Sequence, residues 1–522
     1  MLAKAYSATP RGVEALFVTV EVDRIRAQQP SMTVVGLPDT AVREARERIF
    51  AAIRHLGRRS EPANVVINLA PADEKKEGTG LDLPMAIAFL AATGDVPAEA
   101  LKERILLGEL SLEGRLQPVR GVLPIVLAAR ERGIDEVVVP VANFAEAEVV
   151  SGVRVVAASR LGEVVRYLRE GEVPSLADTK FRSARSPATG STDLSDVIGQ
   201  EQARRALEVA AAGGHHLLFM GPPGSGKSML ARRLPGILPP MHGEEALETT
   251  CVYSVSTRVP RPLGLLSVRP FRAPHHTTSS AALIGGGASP QPGEASLAHH
   301  GVLFLDELTE YRRDVLEALR QPLEDRQVTV ARAQSTLSFP ASFQLVAAAN
   351  PCPCGYLGDD RRECTCTPVA VQRYRARLSG PLLDRLDLQV TVPAVPWREL
   401  SADRRGETSS VVAARVARAR NLQALRYDGD GLSCNGEMSA DAIRRWAQAD
   451  ADGRRLLEHA CRGLGLSARA YHRILRVART IADLAGETDI TSIHLAEAIA
   501  YRSLDRNPTV QLKPVGEWKK GE

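Results

Sequence analysis

Eight consecutive residues, Gly221, Pro222, Pro223, Gly224, Ser225, Gly226, Lys227 and Ser228, fit the pattern G-x-x-x-x-G-K-[ST]. Such a loop does phosphate chemistry. Its glycines let the backbone curl so that successive N–H groups face the phosphates, the lysine reaches the β and γ oxygens, and the serine hydroxyl takes Mg2+. Downstream, the apolar run Val302 to Leu305 ends in Asp306 and Glu307. These supply a second magnesium-directed carboxylate and a base that polarises water. An apolar run closed by two acids is common by itself; beside the phosphate loop it becomes specific. Asn350 follows the run Phe343 to Ala349, so its amide can point at the γ-phosphate or the attacking water, or it can be a turn residue before Pro351. Two arginines complete the set. Arg385 could project as a finger into a neighbouring subunit's site, and Arg469 could reach the γ-phosphate of its own subunit; position alone equally allows solvated surface groups. ATP and Mg2+ are the implied ligands.

Other residue groups point elsewhere. Four of the seven cysteines, Cys352, Cys354, Cys364 and Cys366, fall within one short segment. They offer either a tetrahedral Zn2+ site with tight C-x-C spacing or a set of reduced structural thiols. The histidine pairs at 215–216, 275–276 and 299–300 are read as polar packing or nucleotide-linked contacts, because adjacent side chains on a regular element point different ways. Arg415, Arg418 and Arg426 share one helical face, read as a solvated surface before a nucleic-acid contact.

These residues need a scaffold. With 522 residues the chain exceeds one hydrophobic core, and its 44% hydrophobic and 25% charged content is that of a globular protein. A net charge of +4 is too small to signal nucleic acid by itself. No membrane span or signal peptide is visible, so a cytoplasmic location is expected. The expected fold is α/β throughout the first two domains. An N-terminal domain occupies residues 1–170 and a polar linker 171–193. A doubly wound parallel-sheet core with strands Leu217 to Met220, Val302 to Leu305 and Phe343 to Ala349 occupies 194–396, and a helical lid 397–522. The helix after the phosphate loop is expected to run to Leu234, ahead of Pro235.

In this order the motifs resemble the AAA+ ATPases of the magnesium-chelatase-like group, specifically the YifB/ComM family. The likeness is carried by Phe271-Arg-Ala-Pro-His-His276, Gly301-Val-Leu-Phe-Leu-Asp-Glu-Leu308, Ala349-Asn-Pro-Cys-Pro-Cys-Gly355 and Ser379-Gly-Pro-Leu-Leu-Asp-Arg385. The resemblance implies an arginine finger at Arg385 and a second sensor at Arg469. It implies a hexameric ring, an insertion at about Leu266 to Gly287, and a pore-facing hairpin at about Asp325 to Ala341. That hairpin would carry Arg326, Arg332 and Gln334 near its turn, with Arg326 and Arg332 as DNA contacts. The implied activity is an ATP-driven branch-migration helicase acting on single-stranded or branched DNA in recombination or natural transformation, with recombination proteins as possible partners.

The first domain resembles the Lon protease fold, where a serine and a lysine form the catalytic dyad. Their positions fall at Gly80 and near Leu123, neither of which can do nucleophilic chemistry, so a noncatalytic scaffold is expected. The rival reading is an ATPase like the magnesium-chelatase subunit, driving metal insertion through a protein partner. That subunit is expected to match only the central and lid regions here.

Overall fold

A computed structural model describes residues 2–29, 31–58, 62–175, 192–287, 290–332, 335–396, 406–464 and 466–502. Most of the linker expected at 171–193 therefore lies outside the described residues, as does Gln334.

The N-terminal domain is built on a seven-stranded sheet. β1 (Leu2–Arg11) and β2 (Glu14–Arg26) form a long antiparallel hairpin at its centre. β3 (Ser31–Val35) and β4 (Ala63–Ala70) lie on the β2 side. β5 (Arg104–Leu106), β6 (Glu136–Pro140) and β7 (Arg154–Ala158) run parallel beyond β1. Alternation decides the buried face: Ala3, Ala5, Val18, Val20, Val22, Val65, Ile67 and Leu69 enter the core, against helices α1 (Thr40–His55) and α2 (Asp82–Ala92). Every residue of α2 is buried, including Asp82, whose carboxylate receives Arg48 Nε at 2.6 Å and Leu110 N at 3.1 Å.

The second domain has a five-stranded, wholly parallel sheet. In spatial order its strands are Phe271–Arg272, Val302–Leu305, Gln344–Ala349, Leu217–Met220 and Leu388–Thr391. Continuous apolar runs suit strands covered on both faces. The phosphate-loop strand is thereby flanked by the Asn350 strand on one side and by the strand following Arg385 on the other. The helix after the loop spans only Lys227–Ala231, with a separate 3-10 turn at Leu234–Gly236, shorter than expected from Pro235 alone. The expected insertion is also displaced. Phe271–Arg272 belongs to the sheet, and the element interrupting a helix is the small pair Gly285–Gly286 and Gln291–Pro292, between the helices Ser280–Ile284 and Glu294–Leu297. The hairpin stands where expected, as Gln327–Arg332 paired with Ser335–Pro340.

The lid consists of the helices Ser409–Arg426, Ala440–Trp446, Ala451–Leu464, Ala468–Ala485 and Ser492–Ala500. Its apolar faces join the core of Leu217, Phe219, Val346 and Val390. The N-terminal domain is seated on the second domain as well. Gly121 N donates to Ser254 O at 3.1 Å, and Ser254 Oγ hydrogen-bonds the buried Glu146 carboxyl, whose pKa burial raises. Cys251 enters the N-terminal core beside Leu123 and Val126. Val13, at the turn of the β1–β2 hairpin, packs against Val252 and Leu297 and also against the cluster containing Phe339.

Candidate active site

The phosphate loop leaves its strand at Gly221, where only glycine passes: a Cβ would lie 2.1 Å from Val392 O. It re-enters helix at Gly226, whose φ of +92° belongs to glycine. Lys227 lies at the helix start, 8% exposed, and its Nζ donates to Gly221 O and Pro222 O at 2.8 Å each and to Asn350 Oδ1 at 3.3 Å. The lysine and Asn350, separated by 123 residues, thus meet because their strands are neighbours in register, Met220 beside Ala349. Burial lowers the Lys227 pKa, and the nearby Asp306 and Glu307 oppose that shift. Ser225 Oγ is buried among the described residues with no protein partner, as suits a loop hydroxyl that faces a ligand. Gln200 braces the loop from outside, donating through Nε2 to Ser225 O at 3.2 Å and Pro393 O at 2.5 Å.

Ser228 Oγ donates to Asp306 Oδ2 at 2.6 Å. A hydroxyl from the helix after the loop and a carboxylate oxygen from a strand end, side by side, form the hard-oxygen pair that Mg2+ takes through one or two protein ligands. Glu307 is held differently. Its backbone is left-handed at φ +51°, its side chain is 56% exposed, and His276 Nδ1 lies 3.1 Å from its Oε2. A left-handed non-glycine backbone next to a proposed base is strain of the kind stored at working sites. The contact of His276 with Glu307 agrees with reading the pair 275–276 as polar packing.

Arg385 and Arg469 are brought together, but away from the loop. Both line a cleft of about 120 Å³ with Glu324, His472, Arg473 and Arg476. Among the described residues no hydrogen bond or ion pair joins either arginine to residues 221–228. Sequence reasoning missed the support beneath them. The buried Asp387 accepts from Arg473 Nη1 at 2.6 Å and His216 N at 2.9 Å, and Arg473 Nη1 also holds Arg385 O at 2.9 Å. Burial pushes the Asp387 carboxyl up, but Arg473 foremost, with His215 and His216, holds it well below the usual carboxylate range.

Cys352, Cys354, Cys364 and Cys366 converge: their sulfurs all lie within 4.8 Å of one another, with Cys352 Sγ 3.4 Å from Cys354 Sγ and 3.6 Å from Cys364 Sγ. Tetrahedral Zn2+ with Zn–S near 2.3 Å requires sulfurs about 3.8 Å apart, so the set fits. The cluster adjoins the phosphate loop, since a Cβ at Gly355 would come within 2.7 Å of Pro223 Cδ. A second group, Glu248, His299 and His300, also gathers its ligand atoms. Its hydrogen bonds oppose metal binding: Ser342 N donates to His299 Nδ1 at 3.0 Å, which leaves the proton on Nε2, directed at Glu248 Oε2 3.2 Å away. The two imidazoles hold that carboxylate down to about 2.

Several expectations need correction. The adjacent rings of His275–His276 and His299–His300 do not diverge; their centroids lie 4.1 and 3.9 Å apart, because both pairs sit in turns rather than on regular elements. Arg415 and Arg426 are not a solvated face. Arg415 pairs with Glu407 and Glu208, and Arg426 with Asp483, all within the chain. Arg326 is not near the hairpin turn. It closes the preceding helix in a left-handed conformation and pairs with Glu437 of the lid at 2.8 Å, whereas Arg332 ends the first strand and borders the turn.

Three family models match the chain. "Magnesium chelatase, subunit ChlI" covers residues 193–400, "Magnesium chelatase, subunit ChlI C-terminal" covers 406–502, and "Subunit ChlI of Mg-chelatase" covers 20–143. The last reaches the N-terminal domain, against the expectation that likeness to the chelatase subunit stops short of it. The chain is 45% identical over 511 residues to the competence protein ComM of Haemophilus influenzae, covering 97% of this chain and 98% of that one. To YifB of Escherichia coli it is 44% identical over 511 residues, with the same coverage. A magnesium-chelatase 38 kDa subunit from Acidiphilium rubrum is 25% identical over 353 residues, covering 60% of this chain and 90% of that subunit.

Proposed function

For a chain that belongs to the ComM/YifB family of magnesium-chelatase-like AAA+ ATPases, we propose an ATP-driven DNA motor, a ring-forming helicase that promotes branch migration in recombination or natural transformation. The observation that carries this reading is the hairpin Gln327–Pro340 with Arg332 beside its turn, rooted between the Glu324 helix and the Asn350 strand. A hairpin that carries Arg332 and runs into the strand ending at Asn350 can couple hydrolysis to movement along a phosphate backbone. Arginine–phosphate contacts are independent of sequence and suit a motor that must travel over any DNA.

In this mechanism Lys227 and the loop N–H groups hold the triphosphate, and Ser228 and Asp306 hold the Mg2+, which draws charge from the phosphate oxygens when bound. Glu307, steered by His276, takes a proton from the attacking water, and Asn350 orients that water or the γ-phosphate. Arg385 acts on a neighbour's nucleotide and Arg469 on that of its own subunit, in a hexameric ring. The four cysteines hold Zn2+ as a structural centre that backs the phosphate loop. Residues 1–170 form a scaffold without peptidase activity, since Gly80 and Leu123 stand at the dyad positions. The cytoplasm, with DNA and recombination proteins, is the proposed setting.

The chelatase-like alternative, metal insertion through a protein partner, rests on the family models and the 38 kDa relative. Three- and four-way DNA junctions incubated with the ring, ATP and Mg2+ decide between them. Movement of branch points supports the motor. Rings that neither bind nor move junctions, and whose ATPase responds instead to a porphyrin-binding protein, refute it.

A further inference from the structure

Arg385 is buried, and its guanidinium is engaged within its own chain. Its side chain is 6% exposed, Nη1 donates to Pro381 O at 2.6 Å, Nη2 engages the Glu324 carboxylate, and Nε is buried without a partner among the described residues. Glu324, 53% exposed, reaches across from the helix Arg320–Asp325 to cover the guanidinium at the mouth of the cleft it shares with Arg469. Behind it, Arg473 pins the Arg385 carbonyl. The backbone is therefore fixed and the guanidinium alone has a partner it can exchange. Glu324 is also close to the hairpin. Only Asp325 and Arg326 separate it from the first strand, and Arg326 O accepts Ala341 N at 2.8 Å, closing the hairpin's base.

We propose that Glu324 is a parking carboxylate for Arg385, a positioning residue that withholds the finger from the neighbouring subunit's triphosphate until that phosphate, or displacement of the hairpin, outcompetes it. This rests on the reading of Arg385 as a finger acting in trans. The Glu324 side of the pair is half exposed, and water at that carboxylate weakens its hold on the guanidinium. A γ-phosphate carries more charge than a carboxylate and accepts arginine through two parallel hydrogen bonds, so the exchange runs toward phosphate once the two meet. Because the carboxylate and the hairpin base belong to one continuous turn of chain, engagement of the hairpin alters how firmly the finger is held.

The test is steady-state ATPase of the assembled full-length protein, with and without junction DNA. Replacing the carboxylate by its neutral isostere, Glu324→Gln, should raise kcat without DNA about two- to fivefold, the factor expected for loss of a partly exposed ion pair. KM for ATP should stay within about twofold, because the phosphate loop that sets it is untouched. Glu324→Asp, which keeps the charge, should stay nearer to wild type, and the gain should vanish in Glu324→Gln/Arg385→Ala. An assembled Glu324→Gln ring with unchanged or lower kcat overturns the proposal. If Arg385→Ala alone turns over ATP normally, the finger reading fails with it; if Arg385→Ala is inactive and Glu324→Gln is unaltered, only the parking role falls.

Discussion

Removal of the Asp387 carboxylate should unfasten the lid from the ATPase sheet. Asp387 is 4% exposed, and in Asp387→Ala the His216 N–H loses its acceptor at 2.9 Å and Arg473 Nη1 its carboxylate at 2.6 Å. Breaking a buried ion pair from one side costs about 3–5 kcal/mol, because the remaining charge is left uncompensated. Arg473 is 15% exposed and keeps the Arg385 carbonyl, which places the cost near the lower end, about 3 kcal/mol, or roughly two powers of ten in the folded ratio. The pH dependence follows from the direction of two shifts. The folded Asp387 carboxyl lies well below 3.8, so its contribution is fully present above the unfolded value of about 4 and is lost only as pH falls through the folded value. The difference between variant and wild type should therefore be flat from about pH 5 to 8. His216, lowered by burial to about 4 from 6.5, binds its proton more readily unfolded, so both proteins should lose stability as pH falls from 6.5 toward 4. Urea unfolding of the full chain by circular dichroism at pH 7.5 reads the cost from the transition that includes the lid. A loss under about 1 kcal/mol, or a variant–wild-type difference that changes between pH 6 and 8, would refute the reasoning.

The catalytic assignments make three further predictions. Lys227→Ala should lose nucleotide binding in a fluorescent-ATP titration, while Glu307→Gln should bind normally and hydrolyse about 100-fold more slowly, the lower range for loss of a general base; near-normal turnover in the second variant would remove Glu307 from that role. Arg385→Ala subunits mixed with Lys227→Ala subunits should recover ATPase above either parent, because some interfaces then pair an intact loop with an intact finger; verified mixed rings without recovery would make Arg385 structural. Elemental analysis of protein purified without chelator should find about one zinc per chain, falling in Cys364→Ser, and metal-free wild-type protein would support reduced thiols instead.

The chemistry was more legible in the sequence than the mechanics. The phosphate loop, the acid pair and Asn350 each follow a continuous apolar run, and such runs become adjacent parallel strands; this places Lys227 beside Asn350 and Ser228 beside Asp306. Helix positions in the lid were equally readable from apolar period, as in Ala468–Ala485. What stayed hidden depends on side chains meeting from distant segments. No local pattern reports that Glu324 lies against Arg385, that Arg426 is spent on Asp483, or that His276 faces Glu307. Arg326, which the resemblance implies near the turn, instead takes the left-handed position that ends the preceding helix, and no local sequence signal marks it.

The seam between the first two domains sets the size of the smallest working piece. Val13 is shared between the cluster of Val252 and Leu297 and the one that includes Phe339 at the hairpin's foot, while Cys251 belongs to the N-terminal core and Ser254 caps a carboxyl buried there. Trimming the chain back to its nucleotide-binding half would strip apolar cover from that half and strand the Glu146 carboxyl in the other. The N-terminal domain is in this sense a keystone and not an appendage. A hairpin whose foot is wedged by it cannot swing alone; any stroke of the kind proposed would have to carry the N-terminal domain with it.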